Sequence, residues 1–385
     1  MKKKIIILGA TGSIGQSTLD IIEKTNDQFK VVGVSANKNV KKLSEICKKF
    51  EPKNILLTDN SIQNVIAKPQ FNDGAKFFFG DNVYEEFFDI DFDLVINGIS
   101  GFAGIKPTFI VVEKGKNIAI ANKETIVSGG KLILQKSKLT GSKIIPIDSE
   151  HNALFQLMKN YNLHEIDKIT LTASGGPFRR DSFERLSKRK FVDALKHPTW
   201  NMGIKNTIDS ASLMNKGLEV IEASVLFSLP SKKISVIVHP ESIIHGFLHL
   251  IDGGIISYMS QPDMRIPIYH SMNYPNTFKH FLPSFELKDL SFHDLNENIF
   301  PSIKIARSAL DKGFIATNFF NAANEVAVES FVKEKISFTD IFSIVDNVTK
   351  LSKPGDPKSI EDVFDYDKLA RKHAKNQVKK YLNDR

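Results

Sequence analysis

Two carboxylates, Asp148 and Glu150, follow an apolar run at residues 143–147 that is typical of a buried strand. In an extended segment the side chains at i and i+2 point to the same side, so we expect both carboxylates together at the carboxyl end of a sheet. Neighbouring carboxylates repel each other unless a cation lies between them, and a hard divalent ion such as Mg2+ or Mn2+ prefers such oxygen ligands. An aspartate that caps a helix, followed by a surface glutamate, would give the same sequence, so the pair alone leaves both interpretations open.

A second polar cluster begins at residues 209–212, Asp-Ser-Ala-Ser, which we predict to start a helix because carboxylates and hydroxyls cap helix N-termini. Asn215, Glu219 and Glu222 follow at i, i+4 and i+7, so they share one helix face, and Lys216 lies beside it. Such a face offers polar groups for a phosphate near its start and carboxylate ligands for a metal further along. A purely solvated face is the plain alternative, but the apolar residues between these positions argue against it.

Two further segments are typical of ligand-binding loops. Ser174 precedes two glycines and follows a predicted strand at residues 168–172, so backbone N–H groups there could reach a phosphate, although a plain turn explains the segment equally well. The loop at about residues 195–204 contains His197 and the one tryptophan of the chain, Trp200. An aromatic loop beside a site is typical of a lid that excludes water, whereas a core position is the alternative for the tryptophan.

A glycine-rich turn at the N-terminus predicts a dinucleotide site. Gly9, Gly12 and Gly15 directly follow the first predicted strand and open a helix. Glycines let the backbone approach a pyrophosphate, and the helix N-terminus supplies free N–H groups. The second strand ends without the acidic residue that NAD sites use for the ribose, and Lys38 follows it instead. We therefore predict NADPH, with a solvent-facing lysine as the alternative.

The order of elements predicts an α/β fold. Short apolar runs alternate with helical patterns in the first part of the chain, which indicates a parallel sheet covered on both faces. We expect an N-terminal Rossmann NADP-binding domain, an α/β catalytic domain with its own sheet, and a C-terminal α-helical bundle. The predicted boundaries are residues 1–149 for the NADPH-binding domain, 150–272 for the second α/β domain, 273–300 for a linker and 301–385 for the helical domain.

Composition narrows the class of protein. The 385 residues carry a formal net charge of +8, with acidic and basic residues interspersed, which argues against a nucleic-acid-binding surface. Cys47 is the single cysteine, so no internal disulfide is possible and a reducing, cytoplasmic location is expected. We find no apolar stretch long enough to cross a membrane.

A series of motifs, taken together and in order, resembles the 1-deoxy-D-xylulose 5-phosphate reductoisomerase family along essentially the whole chain. The motifs are residues 9–15, 121–124, 146–152, 174–178, 197–203, 209–219, 239–242, 262–265 and 321–325. The resemblance implies isomerisation of 1-deoxy-D-xylulose 5-phosphate followed by reduction with NADPH to 2-C-methyl-D-erythritol 4-phosphate, a step of the non-mevalonate isoprenoid pathway. It also implies Mg2+ or Mn2+, a small phosphorylated sugar substrate and a homodimer. The family resemblance implies that the second domain, residues 150–272, carries out catalysis and dimerisation.

The resemblance also implies individual roles. The implied metal ligands are Asp148, Glu150 and Glu219, which with Lys123 form the catalytic set. The implied substrate contacts are Lys123, Ser149, Glu150, Ser174, His197, Ser210, Asn215, Lys216 and Glu219. The implied cofactor contacts are Thr11, Gly12, Ser13, Ile14, Asn37, Lys38, Asn39, Asn122, Glu124 and Gly203.

Two departures from the family pattern affect the cofactor side. Many members have glycine in place of Asn37, and many differ from this chain in the loop at residues 98–104.

Two other classes of protein remain as alternatives. One is a Rossmann dehydrogenase of an amino-acid semialdehyde, which would need no metal, and the other is a basic nucleic-acid-binding protein.

Overall fold

The structure, a computed structural model, describes residues 2–25, 28–63, 71–72, 74–195, 203–277, 279–283, 285–286 and 289–383. The strands are β1 Lys3–Leu8, β2 Phe29–Ala36, β3 Asn54–Leu57, β4 Lys76–Phe79, β5 Leu94–Asn97, β6 Asn117–Ile120, β7 Ile144–Pro146, β8 Ile166–Ala173, β9 Ile234–Val238, β10 Ile244–Leu250 and β11 Ile255–Met259. The helices are α1 Ser13–Lys24, α2 Val40–Phe50, α3 Tyr84–Phe87, α4 Ile105–Glu113, α5 Lys123–Thr140, α6 Ser149–Met158, α7 Phe183–Ser187, α8 Phe191–Ala194, α9 Ile204–Ala211, α10 Met214–Phe227, α11 Arg265–Asn273, α12 Ser302–Lys312, α13 Phe314–Val332, α14 Asp340–Leu351 and α15 Ile360–Asn383.

The chain divides into two compact units. The first comprises Met1–Asn122, Ile133–Ser149 and Asp263–Ser284, and the second comprises Lys123–Leu132, Glu150–Pro262 and Phe285–Arg385. The division therefore passes through α5 and through the predicted linker. The predicted domain boundaries stay a prediction.

The first unit is built on a seven-stranded parallel sheet with the order β4-β3-β2-β1-β5-β6-β7. Its central strand β1 ends in four fully buried residues, Ile5 to Leu8, because helices can cover both faces of a parallel sheet. The strand order changes direction between β1 and β5, which places the glycine-rich turn after β1 at the point where such folds bind nucleotides. The predicted Rossmann fold is confirmed.

The second unit contains a four-stranded sheet with the order β11-β10-β8-β9. Strand β10 is antiparallel to β8 and β11, whereas β8 and β9 are parallel. Helices α10 and α12 to α15 pack around a core in which Leu218, Ile221, Phe320, Phe338 and Ile344 are almost completely buried. The predicted second sheet and C-terminal helices are confirmed.

Two local predictions are wrong. The segment after β7 is not extended, because α6 begins at Ser149 and Glu150 lies in its first turn, where a carboxylate interacts favourably with the helix dipole. Residues 209–212 do not start a helix, because Asp209 lies in the last turn of α9. The chain then turns at Leu213, whose φ of 58° is left-handed, before α10 begins. The polar residues of this segment therefore come from the end of one helix and the start of the next.

Among the described residues, no helix is both long and apolar enough to span a membrane.

Candidate active site

The glycine-rich turn of the first unit leaves no room for side chains at two positions. Gly9 has a φ of +71°, and a Cβ there would lie 2.9 Å from the carbonyl oxygen of Gly98. A Cβ on Gly15 would lie 2.5 Å from the Cα of Ala10, so this glycine lets α1 pack directly against the backbone after β1. Gly12 is the N-cap of α1 and has no side chain to satisfy the first N–H groups of the helix. The predicted contacts Thr11, Gly12, Ser13 and Ile14 surround this N-terminus, which is a suitable cradle for a pyrophosphate.

Of the three residues that follow β2, one is exposed to solvent and two form hydrogen bonds within the protein. The side chain of Lys38 is 74% exposed and lies 3.4 Å from Asp59, which follows β3 and which sequence reasoning missed. Asn37 donates a hydrogen bond of 2.9 Å to the hydroxyl of Thr58. Asn39 caps α2, because its side-chain oxygen accepts from the N–H of Lys42 at 3.1 Å. Lys38 is thus exposed to solvent, and its predicted contact with a 2′-phosphate stays a prediction.

Two buried amides fix the loop at residues 98–104, where the sequence departs from the family pattern. Asn97 accepts a hydrogen bond of 3.1 Å from the N–H of Ile99 and donates one of 2.8 Å to Thr108. Asn122 donates to the carbonyl oxygens of Gly101, at 2.7 Å, and Ile99. The predicted cofactor contact Asn122 therefore also positions this loop, and Asn97 is a residue that sequence reasoning missed.

Buried ammonium and carboxylate groups meet in the second unit. Lys216 Nζ donates to Glu150 Oε1 at 2.8 Å, to Glu219 Oε2 and to the carbonyl oxygen of Thr172 at 2.5 Å. Lys123 Nζ lies 3.5 Å from the other oxygen of Glu219. The side chains of Lys216 and Glu219 are only 4% and 1% exposed. The carboxylates of Glu150 and Glu219 thus converge on one position of positive charge at the carboxyl end of β8, as hard-cation ligands must.

Two further residues support this cluster. Asn215 donates to Glu219 Oε1 at 2.5 Å, so it fixes the carboxylate from its own helix. His151 was not predicted as a site residue, yet it is fully buried, and its Nε2 lies 3.0 Å from the carbonyl oxygen of Glu219. Its Nδ1 lies 3.6 Å from Glu222 Oε2. The sequence signal that could have found it is its position directly after Glu150.

Asp148 and Ser149 are the last two residues of the segment Ile133–Ser149, which belongs to the first unit. Asp148 is buried after β7, and Ser149 is the first residue of α6. Their predicted contacts with metal and substrate stay a prediction.

The predicted phosphate segment packs against the end of α9. The N–H of Gly176 donates to the hydroxyl of Ser174 at 3.3 Å. Gly176 has a φ of +66°, and a Cβ there would lie 2.6 Å from the carbonyl oxygen of Ser210. Asn215 and Lys216 occupy the first turn of α10, just after the left-handed Leu213. The structure thus brings the glycine segment, Ser210 and the start of α10 into one region of the second unit.

The remaining predicted residues lie around α9. Gly203 is its N-cap and is exposed. Glu124, in the first turn of α5, is buried and forms an ion pair of 2.6 Å with Lys205. Burial alone would raise the pKa of Glu124, but the attraction of Lys205 outweighs it and lowers the pKa below its ordinary value. His197 and Trp200 lie outside the described residues.

Comparison with known proteins identifies the family. Family models match three segments: 1-deoxy-D-xylulose 5-phosphate reductoisomerase at residues 5–130, its C-terminal domain at 144–227, and the DXP reductoisomerase C-terminal domain at 259–373. Reductoisomerases of Clostridium perfringens and Thermodesulfovibrio yellowstonii are each 40% identical, over 96% and 98% of this chain and 98% and 99% of theirs.

Solved structures agree with this result. The Zymomonas mobilis reductoisomerase in complex with NADPH has a TM-score of 0.91 at 37% identity, covering 98% of this chain and 99% of that one. A DOX-P reductoisomerase in complex with NADPH, fosmidomycin and magnesium has a TM-score of 0.91 at 34% identity, covering 98% of each chain. The chain therefore belongs to the 1-deoxy-D-xylulose 5-phosphate reductoisomerase family.

Proposed function

We propose that this chain isomerises 1-deoxy-D-xylulose 5-phosphate and reduces the resulting aldehyde with NADPH to 2-C-methyl-D-erythritol 4-phosphate, using Mg2+ or Mn2+. The observation that carries the proposal is the convergence of the Glu150 and Glu219 carboxylates on the ammonium group of Lys216, with Lys123 next to Glu219. Family membership gives this cluster its reaction. Family membership does not favour the alternative of a metal-independent dehydrogenase.

The donor set fits a divalent cation. Glu150 and Glu219 offer carboxylate oxygens that already approach a common partner, and Asp148 is the third ligand that we propose. When bound, the metal supplies Lewis acidity that polarises a carbonyl oxygen of the substrate. Lys123 and Lys216 carry positive charge next to the same carboxylates, so they can stabilise negative charge that develops on substrate oxygens.

The phosphate of the substrate fits the region of Ser174, Ser210, Asn215 and Lys216. The first turn of α10 presents backbone N–H groups, and Ser174 and Ser210 add hydroxyl donors. Binding the phosphate here fixes the distance between the carbon skeleton and the carboxylate cluster, because Asn215 and Lys216 precede Glu219 on the same helix. His197, which lies outside the described residues, is proposed from family membership to contact the same phosphate.

NADPH fits the first unit. Gly15 lets α1 pack against the backbone of Ala10, which keeps the helix N-terminus at Gly12 close to the turn after β1, and we propose that Lys38 meets the 2′-phosphate. We propose, from family membership, that Glu124 and Gly203 also contact NADPH. In the reduction step, hydride passes from NADPH to the aldehyde carbon and a proton is added to its oxygen, which yields the alcohol and NADP+.

We infer in addition that the enzyme works as a homodimer in the cytoplasm. Edge strand β11 carries Ile255 and Met259, which are 60% and 40% exposed, and Ile251 in the preceding turn is 67% exposed. Exposed apolar side chains on an edge strand favour contact with another chain. The single cysteine is a buried free thiol, which suits a reducing compartment. A monomer mass, measured by sedimentation equilibrium at micromolar protein concentration, would contradict the dimer.

The reaction is tested by mixing purified protein with 1-deoxy-D-xylulose 5-phosphate, NADPH and Mg2+ and following absorbance of the reduced nicotinamide. We expect metal-dependent oxidation of NADPH, reduced roughly 100-fold or more in Glu150→Gln because a metal ligand is lost. Glu184→Gln is the matched control, since Glu184 is a surface carboxylate of the same unit that pairs only with Lys188 among the described residues. Folded wild-type protein that binds NADPH but does not oxidise it would refute the proposed reaction.

A further inference from the structure

A half-buried lysine, Lys205, bridges two helices of the second unit that each carry a proposed ligand contact. Lys205 Nζ lies 2.6 Å from Glu124 Oε1 on α5 and 2.6 Å from Asp209 Oδ2 on α9. The side chains of Glu124 and Asp209 are 7% and 1% exposed, and that of Lys205 is 21% exposed. The bridge joins segments that are far apart in sequence and is shielded from solvent, so the ion pairs are screened weakly.

The bridge extends into the helical part of the unit. Asn324 on α13 donates a hydrogen bond of 2.8 Å to Asp209 Oδ1 and is itself fully buried. Both oxygens of Asp209 therefore have partners on different elements, one the ammonium of Lys205 and the other the amide of Asn324. This fixes the carboxylate, and with it the place of the lysine.

Each end of the bridge lies directly beside a residue of the proposed site. Glu124 is a proposed cofactor contact and follows Lys123, which approaches Glu219. Asp209 precedes Ser210, whose carbonyl oxygen packs against Gly176 of the phosphate segment. A shift of Lys205 would thus move a cofactor contact and a phosphate contact together.

The dipole of α9 does not favour a positive charge at the position of Lys205. Lys205 lies in the first turn of α9, where a positive charge interacts unfavourably with the helix dipole. Burial alone would lower its pKa, but the attraction of Asp209 and Glu124 outweighs burial and raises the pKa, so the residue stays charged. A lysine at this position is therefore stabilised by two carboxylates, Asp209 one turn further along α9 and Glu124 on α5.

We propose that Lys205, fixed by Asp209 and Asn324, is a positioning residue that couples cofactor binding at Glu124 to phosphate binding at Ser210. The inference rests on the proposed function, because it takes Glu124 and Ser210 as ligand contacts. Its consequence is positive cooperativity: a cofactor that orders Glu124 also orders α9 and so prepares the phosphate site.

The test measures the dissociation constant of NADPH by its fluorescence, with and without saturating fosmidomycin, the ligand of one solved relative. The ratio of the two constants is the coupling factor. We expect roughly tenfold coupling in the wild-type protein and a factor close to one in Lys205→Gln, since coupling between sites commonly lies in this range. Lys205→Arg keeps a cation between the carboxylates and should retain most of the coupling. A purely structural role of the lysine would instead give Lys205→Arg and Lys205→Gln the same coupling factor.

Lys131→Gln is the matched control, because Lys131 lies on the same helix as Glu124 and pairs with Asp356 away from the proposed site. It should keep the wild-type coupling. If Lys205→Gln does not give a cooperative thermal transition, Asp209→Asn replaces it, since that change removes the charge but preserves the shape. Unchanged coupling in the glutamine or asparagine variant, no coupling in the wild-type protein, or equal loss in the control would each overturn the inference. The NADPH oxidation assay separately decides the proposed function.

Discussion

The substitution Gly176→Ala tests whether the phosphate segment depends on a glycine that touches the backbone of another element. A Cβ at this position would lie 2.6 Å from the Ser210 carbonyl oxygen and 3.1 Å from the Cα of Ala211. Opening the first contact to an ordinary 3.4 Å displaces one of the two segments by about 0.8 Å. Neither neighbour is the end of a flexible side chain, so the backbone itself must move.

The expected loss of stability has two sources. A residue with a side chain at a φ of +66° is disfavoured by about 1–2 kcal/mol, and overpacking at a tight contact costs about 1–3 kcal/mol more. A total of about 2–5 kcal/mol corresponds to a fall in melting temperature of roughly 4–20 °C for a unit of this size. Since displacements near 1 Å can reduce activity about 100-fold, we expect the KM for the phosphorylated substrate to rise at least tenfold. Without a phosphate ligand, the Kd of NADPH should change much less than the KM, because the proposed cofactor contacts other than Glu124 and Gly203 lie in the first unit.

Differential scanning calorimetry and steady-state kinetics measure these effects, with Gly253→Ala as the matched control. Gly253 has a φ of +90° in the turn between β10 and β11, but a Cβ there has nothing within 4 Å. The control therefore carries the backbone penalty without the clash, and it should melt about 2–8 °C lower with an unchanged KM. Equal melting temperatures for the two variants, together with a wild-type KM for Gly176→Ala, would refute the reasoning.

Other predictions concern the first unit. Lys38→Glu should weaken NADPH binding roughly tenfold in a fluorescence titration and affect NADH little, because it replaces the exposed cation beside the expected 2′-phosphate; an equal effect on both cofactors would contradict this. Gly15→Ala should lower the melting temperature, since its Cβ would lie 2.5 Å from the Cα of Ala10. Gly12→Ala, whose Cβ would lie 3.3 Å from the Gly9 carbonyl oxygen, should lower it less and weaken NADPH binding. Burial raises the pKa of the Cys47 thiol from 9.0 to about 12, so at pH 8 iodoacetamide should modify it only after unfolding, as measured by mass spectrometry. Because the pKa of the thiol is raised in the folded state, its contribution to the free energy of unfolding is complete below pH 9 and is lost as the pH rises toward 12. Alkylation of the native protein at pH 8 would show that the thiol is not buried in this way.

Much of the site could be predicted because local sequence carries the information. A glycine-rich turn between an apolar strand and a helix is typical of a dinucleotide site, and the structure places it after β1 at the change of strand direction. Asn215 and Glu219 share a helix face as the spacing predicts, and they form a hydrogen bond. The carboxylates of Glu150 and Glu219 do converge, but the sequence argument for Glu150 was wrong. The first helical turn of α6, not an extended strand end, presents it.

Other features depend on contacts between distant segments, which spacing in the sequence does not encode. The unit that contains α10 joins residues 123–132 to residues 150–262 and 285–385, so Lys205 meets Glu124 only after folding. His151 is another example, since one buried histidine in a helix is unremarkable until its ring is found beside the backbone of Glu219. The break between α9 and α10 at Leu213 was missed because a left-handed leucine is stabilised by its surroundings and not by its own preference.

The sequence by itself determined the family, the cofactor class and the Rossmann sheet, because each follows from residue types at fixed short spacings. Only the tertiary structure decided which charges meet: Lys216 with Glu150 and Glu219, and Lys205 with Glu124 and Asp209. The physical reason is that a buried charge is stable only beside an opposite charge or hydrogen-bonding partners, and the partner is supplied by whichever element the fold brings near. Local propensity sets where helices and strands form, whereas the packing of those elements sets the electrostatics of the site.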